Sequence, residues 1–217
     1  MDVDVRGVIV PDDEAWIYDW FGYEYTAPGK IRKAAAEAAG EALDVYINSG
    51  GGDVFSGSDI YSTLRSYKGE VRIHVTGIAA SAASVIACAR HSDIAPTAQL
   101  MVHNVSTIVS GDVHTMEHTA ETLRQANRSI AAAYVEKTGM TEKEALHLMD
   151  KETWLTAEDA VKYGLIDEIA QEAGNENLPM VASVGEMLPR AVIDRMKQTM
   201  ERETAALELL KLRGVRT

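Results

Sequence analysis

Short stretches rich in branched apolar residues are spaced along the chain, and most are flanked by turn residues, which is typical of β-strands. These stretches cover residues 3–10, 43–48, 71–76, 94–102 and 165–169. Between them, apolar residues recur every three or four positions, as on one face of a helix. The helical segments cover residues 26–39, 54–67, 79–89 and 113–137. The alternation of strand and helix predicts an α/β fold with parallel βαβ units and helices covering a sheet.

Residues at the ends of these segments support the assignment. Thr26 can cap the helix that follows it, with Pro28 at an early position and Gly40 after its last turn. Gly77 is expected to end the strand before it, and Gly139 is expected to end the long helix. A capping box of the form Thr-x-x-Glu then opens another short helix.

The last part of the chain differs from the rest. Residues 171–188 contain glycine, asparagine and proline and are loop-like, whereas residues 189–213 carry apolar residues at heptad spacing, which is typical of a helix. We therefore divide the chain into a body, residues 1–170, and a linker with a C-terminal helical tail, residues 171–217. Two interpretations of the apolar stripe stay open: packing on its own body and association with a neighbouring subunit.

The composition fits a globular protein, because 46% of the 217 residues are hydrophobic and 25% are charged. A membrane span needs roughly 18 consecutive apolar residues, and no such run occurs. The net charge of −12 opposes binding to nucleic acid, since an acidic surface repels phosphate. The first residues lack the pattern of a signal peptide, and a single cysteine excludes an intrachain disulfide and a cysteine zinc site. We therefore expect a cytoplasmic protein that binds neither nucleic acid nor membranes.

Two residues near the ends of predicted strands are candidates for chemistry. His103 comes directly after the apolar run 100–102, and side chains at strand ends collect at one edge of an open α/β sheet. Ser81 lies near the start of the small-residue helix, where a hydroxyl is exposed and the helix N-terminus favours developing negative charge. The other interpretation of Ser81 is an ordinary helix N-cap. Three histidines on predicted helices are interpreted as solvated side chains: His114, His118 and His147.

Gly50, Gly51 and Gly52 lie between a predicted strand and a predicted helix. Glycines at such a place can leave backbone N–H groups free to bind an oxyanion, and a tight turn is the alternative interpretation. The run lacks both the Gly-x-Gly-x-x-Gly spacing and the Lys-Ser/Thr ending of phosphate-binding loops, so the sequence does not support phosphate binding.

Four motifs occur in a fixed order along the chain. They are INSGGGDV at 47–54, GIAASAAS at 77–84, MVHN at 101–104 and WLTAEDAVKYGLID at 154–167. In this order and spacing they closely resemble the proteolytic subunit of the Clp protease (ClpP) family, a serine peptidase, and the resemblance covers about residues 5–170. It implies the ClpP/crotonase-like α/β fold of stacked ββα units with a parallel-rich sheet, which the C-terminal helical extension follows here.

The resemblance also implies roles for individual residues. Ser81 occupies the position of the family's nucleophile, and His103 occupies the position of its general base. The backbone N–H groups of Gly52 and Ala82 occupy the oxyanion-hole positions. An extended polypeptide substrate would lie as an added strand beside two segments. Their residues are Gly51, Asp53, Val54 and Asn104. We expect no cofactor and no metal.

The third member of the catalytic triad is where the sequence departs from the family. Members usually carry aspartate two residues before the aromatic residue of the fourth motif. Here that aromatic residue is Trp154, so Glu152 occupies the position. Glutamate orients an imidazole in some other hydrolases, although its side chain is one methylene longer. We assign Glu152 as the acid, with Asp150 as the alternative.

The resemblance implies self-association into rings, heptameric or stacked, in which the long helix near residues 113–137 is the handle where rings meet. We therefore expect no stable monomer. The segment that usually precedes the first strand is essentially missing here, and the tail is additional. Both features resemble phage and prophage head maturation proteases, which cut scaffold and capsid proteins. The alternative is an ATP-dependent Clp protease subunit that an AAA+ unfoldase feeds.

Two other classes of function compete with a peptidase. A crotonase-like acyl-CoA enzyme would share the fold and a two-amide oxyanion site, but no basic pocket for CoA phosphates is visible, and Ser81 and His103 would have no role. A non-catalytic scaffold or assembly protein would keep the fold alone, and the glutamate at the acid position is the single feature that favours it.

Overall fold

A computed structural model describes residues 1–170, in which strands and helices alternate. The strands are β1 (Asp2–Ile9), β2 (Tyr25–Thr26), β3 (Leu43–Gly52), β4 (Val71–Ala80), β5 (His91–Ile94), β6 (Gln99–Val102), β7 (Thr153–Thr156) and β8 (Glu168–Ile169). The helices are α1 (Ala15–Phe21), α2 (Pro28–Ala38), α3 (Val54–Ser66), α4 (Ala82–Ala87), α5 (Val113–Thr138), α6 (Glu142–Asp150) and α7 (Ala157–Lys162). The predicted tail, residues 171–217, lies outside the described residues, so the division of the chain stays a prediction.

Six strands lie side by side in a parallel sheet, in the order β2, β1, β3, β4, β5 and β8. On the side away from β3, β4 pairs with two strands: its first half pairs with β5, and its last three residues pair with β6. β7 runs antiparallel to β6, with Thr153 opposite Val102. This parallel-rich mixed sheet confirms the predicted α/β class.

The core lies on one face of the sheet. In β3 the side chains of Leu43, Val45 and Ile47 are buried, whereas the alternate residues Asp44 and Tyr46 are only half-buried. Successive side chains of a strand point to opposite faces, so the helices bury one face of this part of the sheet and leave the other polar. The expectation that helices cover the sheet is therefore correct for one face only.

The capping role predicted for Thr26 is wrong. Thr26 belongs to β2, and its hydroxyl donates to the carbonyl of Arg6 and accepts from the N–H of the same residue, both at 2.9 Å. Helix α2 begins one residue later than expected, with Ala27 at its N-cap and Pro28 in the first turn. The Thr26 hydroxyl cannot cap α2 because it is hydrogen-bonded to the backbone of Arg6 in β1.

The strands β3 and β4 are longer than predicted. β3 continues through the three glycines to Gly52, and β4 continues through Gly77 to Ala80, so α4 begins at Ala82 instead of Ala79. The prediction that Gly77 ends its strand is wrong. Gly77 stays in β4 and leaves room for the Asn48 side chain, whose Oδ1 lies 2.5 Å from where a Cβ of residue 77 would be. These extensions bring the ends of two neighbouring strands to one edge of the sheet.

Other boundaries are confirmed. Helix α5 ends at a left-handed Gly139, and the capping box between Thr141 and Glu144 is formed. Asp53, directly after β3, caps α3 by accepting from the Ser56 N–H at 2.7 Å. Within residues 1–170, each helix is too short or too polar to cross a membrane.

Candidate active site

Three chain segments end at the same edge of the sheet. Gly52 ends β3, Ser81 follows the last residue of β4, and His103 follows the last residue of β6. These strands are parallel, so their carboxyl ends meet at one edge, which is where side chains of open α/β sheets converge. The convergence depends on the lengthening of β3 and β4, which the sequence pattern did not predict.

Ser81 lies in a strained turn between β4 and α4. Its φ of 55° and ψ of −124° are rare for a residue with a side chain. The turn is fixed on both sides, because the Ser81 N–H donates to the Met101 carbonyl at 2.9 Å and the Ser81 carbonyl accepts from the Ser84 N–H at 3.0 Å. Ser81 stands at the N-cap position of α4, as the alternative interpretation expected, but its side chain makes no capping hydrogen bond to the helix.

The Ser81 hydroxyl lies in hydrogen-bonding contact with an imidazole. Ser81 Oγ and His103 Nε2 are 2.8 Å apart, although 22 residues separate them in the sequence. Nε2 accepts the hydroxyl proton when the ring's own proton is on Nδ1. A histidine in this position can act as a general base and make the serine oxygen a nucleophile.

Two residues that could supply backbone N–H donors line the same cavity as Ser81. The cavity has a volume of about 380 Å³, and its lining includes Ser81, His103, Gly52 and Ala82. The Ala82 N–H belongs to the first turn of α4, where helix N–H groups have no partner within the helix. The cavity can therefore offer N–H donors to an oxygen that becomes negatively charged beside Ser81.

Gly51 is required by how closely β3 approaches Ser81. A Cβ at Gly51 would lie 2.7 Å from the Cβ of Ser81 and 2.6 Å from the Ala80 carbonyl oxygen, and the φ of Gly51 is 93°. A Cβ at Gly52 would lie 2.1 Å from the Ile9 carbonyl oxygen. Gly51 therefore allows β3 to lie directly against the Ser81 turn, and Gly52 allows it to lie close to Ile9 of β1.

The carboxylates of both candidate acids, Glu152 and Asp150, are hydrogen-bonded to groups other than the His103 imidazole. Glu152 Oε1 accepts from the Trp154 indole N–H at 3.3 Å, and Asp150 Oδ1 accepts from the Asn104 amide at 2.9 Å. The antiparallel pairing of β6 with β7 ends with Val102 opposite Thr153, so His103 and Glu152 are each the next residue beyond that last pair. Glu152 has a φ of 48°, so it lies in a turn rather than in the strand.

The four expected substrate-binding residues divide into two groups. Asp53 and Val54 line the cavity, whereas Gly51 and Asn104 do not. The carboxylate of Asp53 is occupied in capping α3. The side-chain amide of Asn104 is bonded to Asp150, and its Oδ1 is buried with no partner among the described residues.

The apolar walls of the cavity were missed by the sequence reasoning. They come partly from helix α5, through Ile130 and Tyr134, and partly from residues around β6 and α4. These other wall residues are Met101, Val105 and Val85. The i, i+4 spacing of Ile130 and Tyr134 indicates one face of a helix, but it does not indicate which surface that face meets.

The other histidines do not join this site. His74 Nδ1 lies 2.6 Å from an Asp93 oxygen on the polar face of the sheet, and His91 is exposed beside Glu168. The three histidines predicted to be solvated are exposed, as expected: His114, His118 and His147. Among the described residues, no cluster of histidine, cysteine and carboxylate side chains could hold a metal ion.

Comparison with known proteins shows what the chain is similar to. Residues 30–173 match the family model described as Clp protease. The ATP-dependent Clp protease proteolytic subunits of two strains of Bacteroides fragilis are each 31% identical over 134 residues. That alignment spans 60% of this chain and 64% and 60% of the two relatives, so the chain spans less than two thirds of their length. A ClpP1 variant from Listeria monocytogenes superposes with a TM-score of 0.64 and 22% identity, over 79% of this chain and 92% of that one.

Proposed function

The chain belongs to the Clp protease family and has the ClpP-like fold, and from these two premises we propose that it is a serine endopeptidase with Ser81 as nucleophile. The observation that carries the proposal is the 2.8 Å contact between Ser81 Oγ and His103 Nε2. A strained turn, an imidazole within hydrogen-bonding distance and backbone amides of residues that line the same cavity are the parts that acyl transfer to serine needs.

The reaction has two halves. In the first, Ser81 Oγ attacks the scissile carbonyl carbon while its proton passes to His103 Nε2, and the N–H groups of Gly52 and Ala82 bind the oxyanion. His103 then gives the proton to the leaving amine, so the peptide bond breaks and an ester forms at Ser81. In the second half, His103 takes a proton from water while the water oxygen attacks the ester carbonyl carbon. The bond between that carbon and Ser81 Oγ then breaks, the carboxylic acid product leaves, and His103 returns the proton to Ser81 Oγ.

We propose that Glu152 orients His103 and stabilises its charged form, with Asp150 as the alternative acid. The register of β6 and β7 supports Glu152, because Val102 lies opposite Thr153 and continuing the pairing by one residue would bring Glu152 opposite His103. Its carboxylate would leave the Trp154 indole and reach the imidazole Nδ1–H. Asp150 is supported by its bond to Asn104, the residue next to His103.

The substrate proposed for this site is an extended polypeptide. It would add as a strand beside residues 51–54 and the segment after His103, so that main-chain hydrogen bonds hold it in register. The apolar cavity wall formed by Val85, Ile130 and Tyr134 would receive an apolar side chain next to the cleaved bond.

We propose that the chain works as a ring oligomer. In a single copy of the chain most residues in the first half of α5 are exposed to solvent. Among them, Val113 and Met116 expose 62% and 43% of their surface. Apolar side chains on an exposed helix are typical of a surface that another subunit covers. The names of the Bacteroides fragilis relatives favour a proteolytic subunit fed by an ATP-dependent unfoldase, and the role in phage head maturation stays a prediction.

Cleavage of an unfolded protein tests the proposed activity. We expect the protein to cleave casein, Ser81→Ala to abolish cleavage, and Ser66→Ala, which alters an exposed serine at the end of α3, to leave it unchanged. Sedimentation of all three proteins shows whether they have the same assembly state. A ring that cleaves nothing would favour a scaffold protein, and tight binding of an acyl-CoA would favour a crotonase-like enzyme.

A further inference from the structure

A chain of buried hydroxyl groups connects helix α5 with the Ser81 turn. The Tyr134 hydroxyl lies 2.8 Å from Ser84 Oγ, and Ser84 Oγ lies 2.6 Å from the carbonyl oxygen of Ser81. Tyr134 is 2% exposed and Ser84 is fully buried. These two hydroxyls have no part in the proton transfers proposed above.

The direction of the two hydrogen bonds follows from what each group can donate. A carbonyl oxygen only accepts, so the single hydroxyl hydrogen of Ser84 points to the Ser81 carbonyl. Ser84 Oγ is then an acceptor toward Tyr134, which donates. Burial raises the pKa of Tyr134, so its hydroxyl keeps the proton that it donates.

This series of hydroxyl groups ends at the backbone carbonyl of Ser81, the residue that carries the proposed nucleophile. The positive φ of Ser81 costs conformational free energy and persists only where the surroundings fix it. The Ser81 carbonyl accepts from both the N–H and the hydroxyl of Ser84, while its N–H is held by Met101. Two donors on one carbonyl fix the peptide plane that directs Oγ toward His103.

We propose that Ser84 and Tyr134 are positioning residues of the reaction: Tyr134 donates to Ser84, Ser84 donates to the Ser81 carbonyl, and this relay holds the Ser81 turn in its reactive conformation. The inference rests on the proposed serine peptidase function. Both hydroxyls act through the backbone of Ser81 and not on the reacting atoms. Because Tyr134 belongs to α5, the relay also links the geometry of the site to that long helix.

Because the two hydrogen bonds act in series, we expect the single and double variants to lower kcat in a specific order. Ser84→Ala removes one donor to the Ser81 carbonyl, and we expect kcat to fall about tenfold to hundredfold with KM unchanged. Tyr134→Phe keeps the ring in the cavity wall and the Ser84 donor, and we expect kcat to fall only about threefold to tenfold. Once Ser84 is absent the Tyr134 hydroxyl has no route to Ser81, so the double variant should have the kcat of Ser84→Ala alone.

Stability should change in a different order from kcat. Ser84→Ala leaves the buried Tyr134 hydroxyl without its partner, which lowers the thermal midpoint. Adding Tyr134→Phe removes that orphaned hydroxyl, so the double variant should regain part of the midpoint without regaining kcat. A merely structural role would make kcat follow stability.

The experiment is a double-variant cycle on the assembled protein, with casein cleavage and fluorophosphonate labelling of the serine as readouts. Tyr25→Phe is the control, because it removes a buried tyrosine hydroxyl bonded to Asp19, in a part of the fold that does not line the cavity. It should leave kcat unchanged.

The outcomes separate the relay from the proposed function. If the unaltered protein neither cleaves casein nor reacts with the probe, both the function and the relay are wrong. If it does both but Ser84→Ala keeps the full kcat, or the two single effects multiply in the double variant, the relay alone is wrong. Should Ser84→Ala fail to assemble, Tyr134→Phe decides: a kcat at least about threefold lower supports the relay, and an unchanged kcat overturns it.

Discussion

At the scale of single residues, Ser81 and His103 come together where β4 and β6 end, with Ser81 Oγ 2.8 Å from His103 Nε2. The order of the motifs predicted their roles, because a strand end and a small-residue helix start recur at fixed places in the resembled family. The sequence could not predict the 2.8 Å contact, since it depends on where β4 and β6 end. It also could not predict the buried Ser84–Tyr134 bond, which joins residues 50 positions apart.

The two acids can be separated by replacing each carboxylate with its amide. Glu152→Gln keeps the shape of the side chain but cannot stabilise the imidazolium, so we expect kcat to fall about a thousandfold or more with KM nearly unchanged. Asp150→Asn is the matched control, because asparagine can still accept from the Asn104 amide. We expect this variant to keep its kcat.

Peptide hydrolysis measured across pH gives the readout for both variants. A large loss of kcat in Asp150→Asn, with Glu152→Gln active, would make Asp150 the acid and the assignment of Glu152 wrong. Sequence spacing favoured Glu152, but the carboxylate contacts its own neighbour Trp154, and such local contacts are set by side-chain rotamers that spacing does not fix.

At the scale of elements, the site is built by the way β3 runs along the Ser81 turn. The pattern of apolar residues predicted both strands, but it placed their ends too early because glycine was interpreted as a breaker. Gly77 and Gly50–Gly52 instead remain in the ladder, where the lack of a Cβ allows close approach of other backbone and side-chain atoms.

Gly51→Ala tests this close approach. The added methyl would meet the Ser81 Cβ at 2.7 Å, so we expect the turn to shift and casein cleavage to fall at least about a hundredfold. Gly40→Ala is a matched control: Gly40 has a φ of 98°, close to the 93° of Gly51, but a Cβ there would meet nothing within 4 Å.

Both substitutions carry the cost of a side chain at positive φ, so only the contact with Ser81 distinguishes them. Equal activities of the two variants would show that β3 does not set the geometry of the Ser81 turn. Thermal midpoints measured alongside separate a local shift of the site from a loss of folding.

At the scale of the whole molecule, Asp167 forms hydrogen bonds with residues of helix α5 and strand β5, which are far apart in the sequence. Its carboxylate accepts from the ammonium of Lys137 on α5 and from the Ser92 N–H on β5, the latter at 2.7 Å. Burial raises the pKa of Asp167, but the hydrogen bonds from Lys137 and Ser92 and the positive charge of Lys137 outweigh it, so the pKa lies below its ordinary value of 3.8. These contacts give Asp167 a structural role.

We expect Asp167→Asn to lower the free energy of unfolding by about 2 kcal/mol at neutral pH, since Lys137, 9% exposed, loses its counter-charge. A carboxylate with a lowered pKa stabilises the fold above its ordinary pKa, and this contribution is lost as pH falls through the lowered value. The difference between the two proteins in urea denaturation should therefore narrow below about pH 4. Glu168→Gln, an exposed neighbour, should change stability little at either pH, and a pH-independent difference for Asp167→Asn would contradict the ionic role.

The most direct test of the peptidase proposal is the position of a covalent adduct. A fluorophosphonate forms a P–O bond with an activated serine and releases fluoride, and peptide mass spectrometry then locates the modified residue. We predict a single adduct on Ser81 that forms rapidly in the unaltered protein and is nearly absent in His103→Ala. An adduct on another serine, or equal labelling with and without His103, would contradict the proposed site.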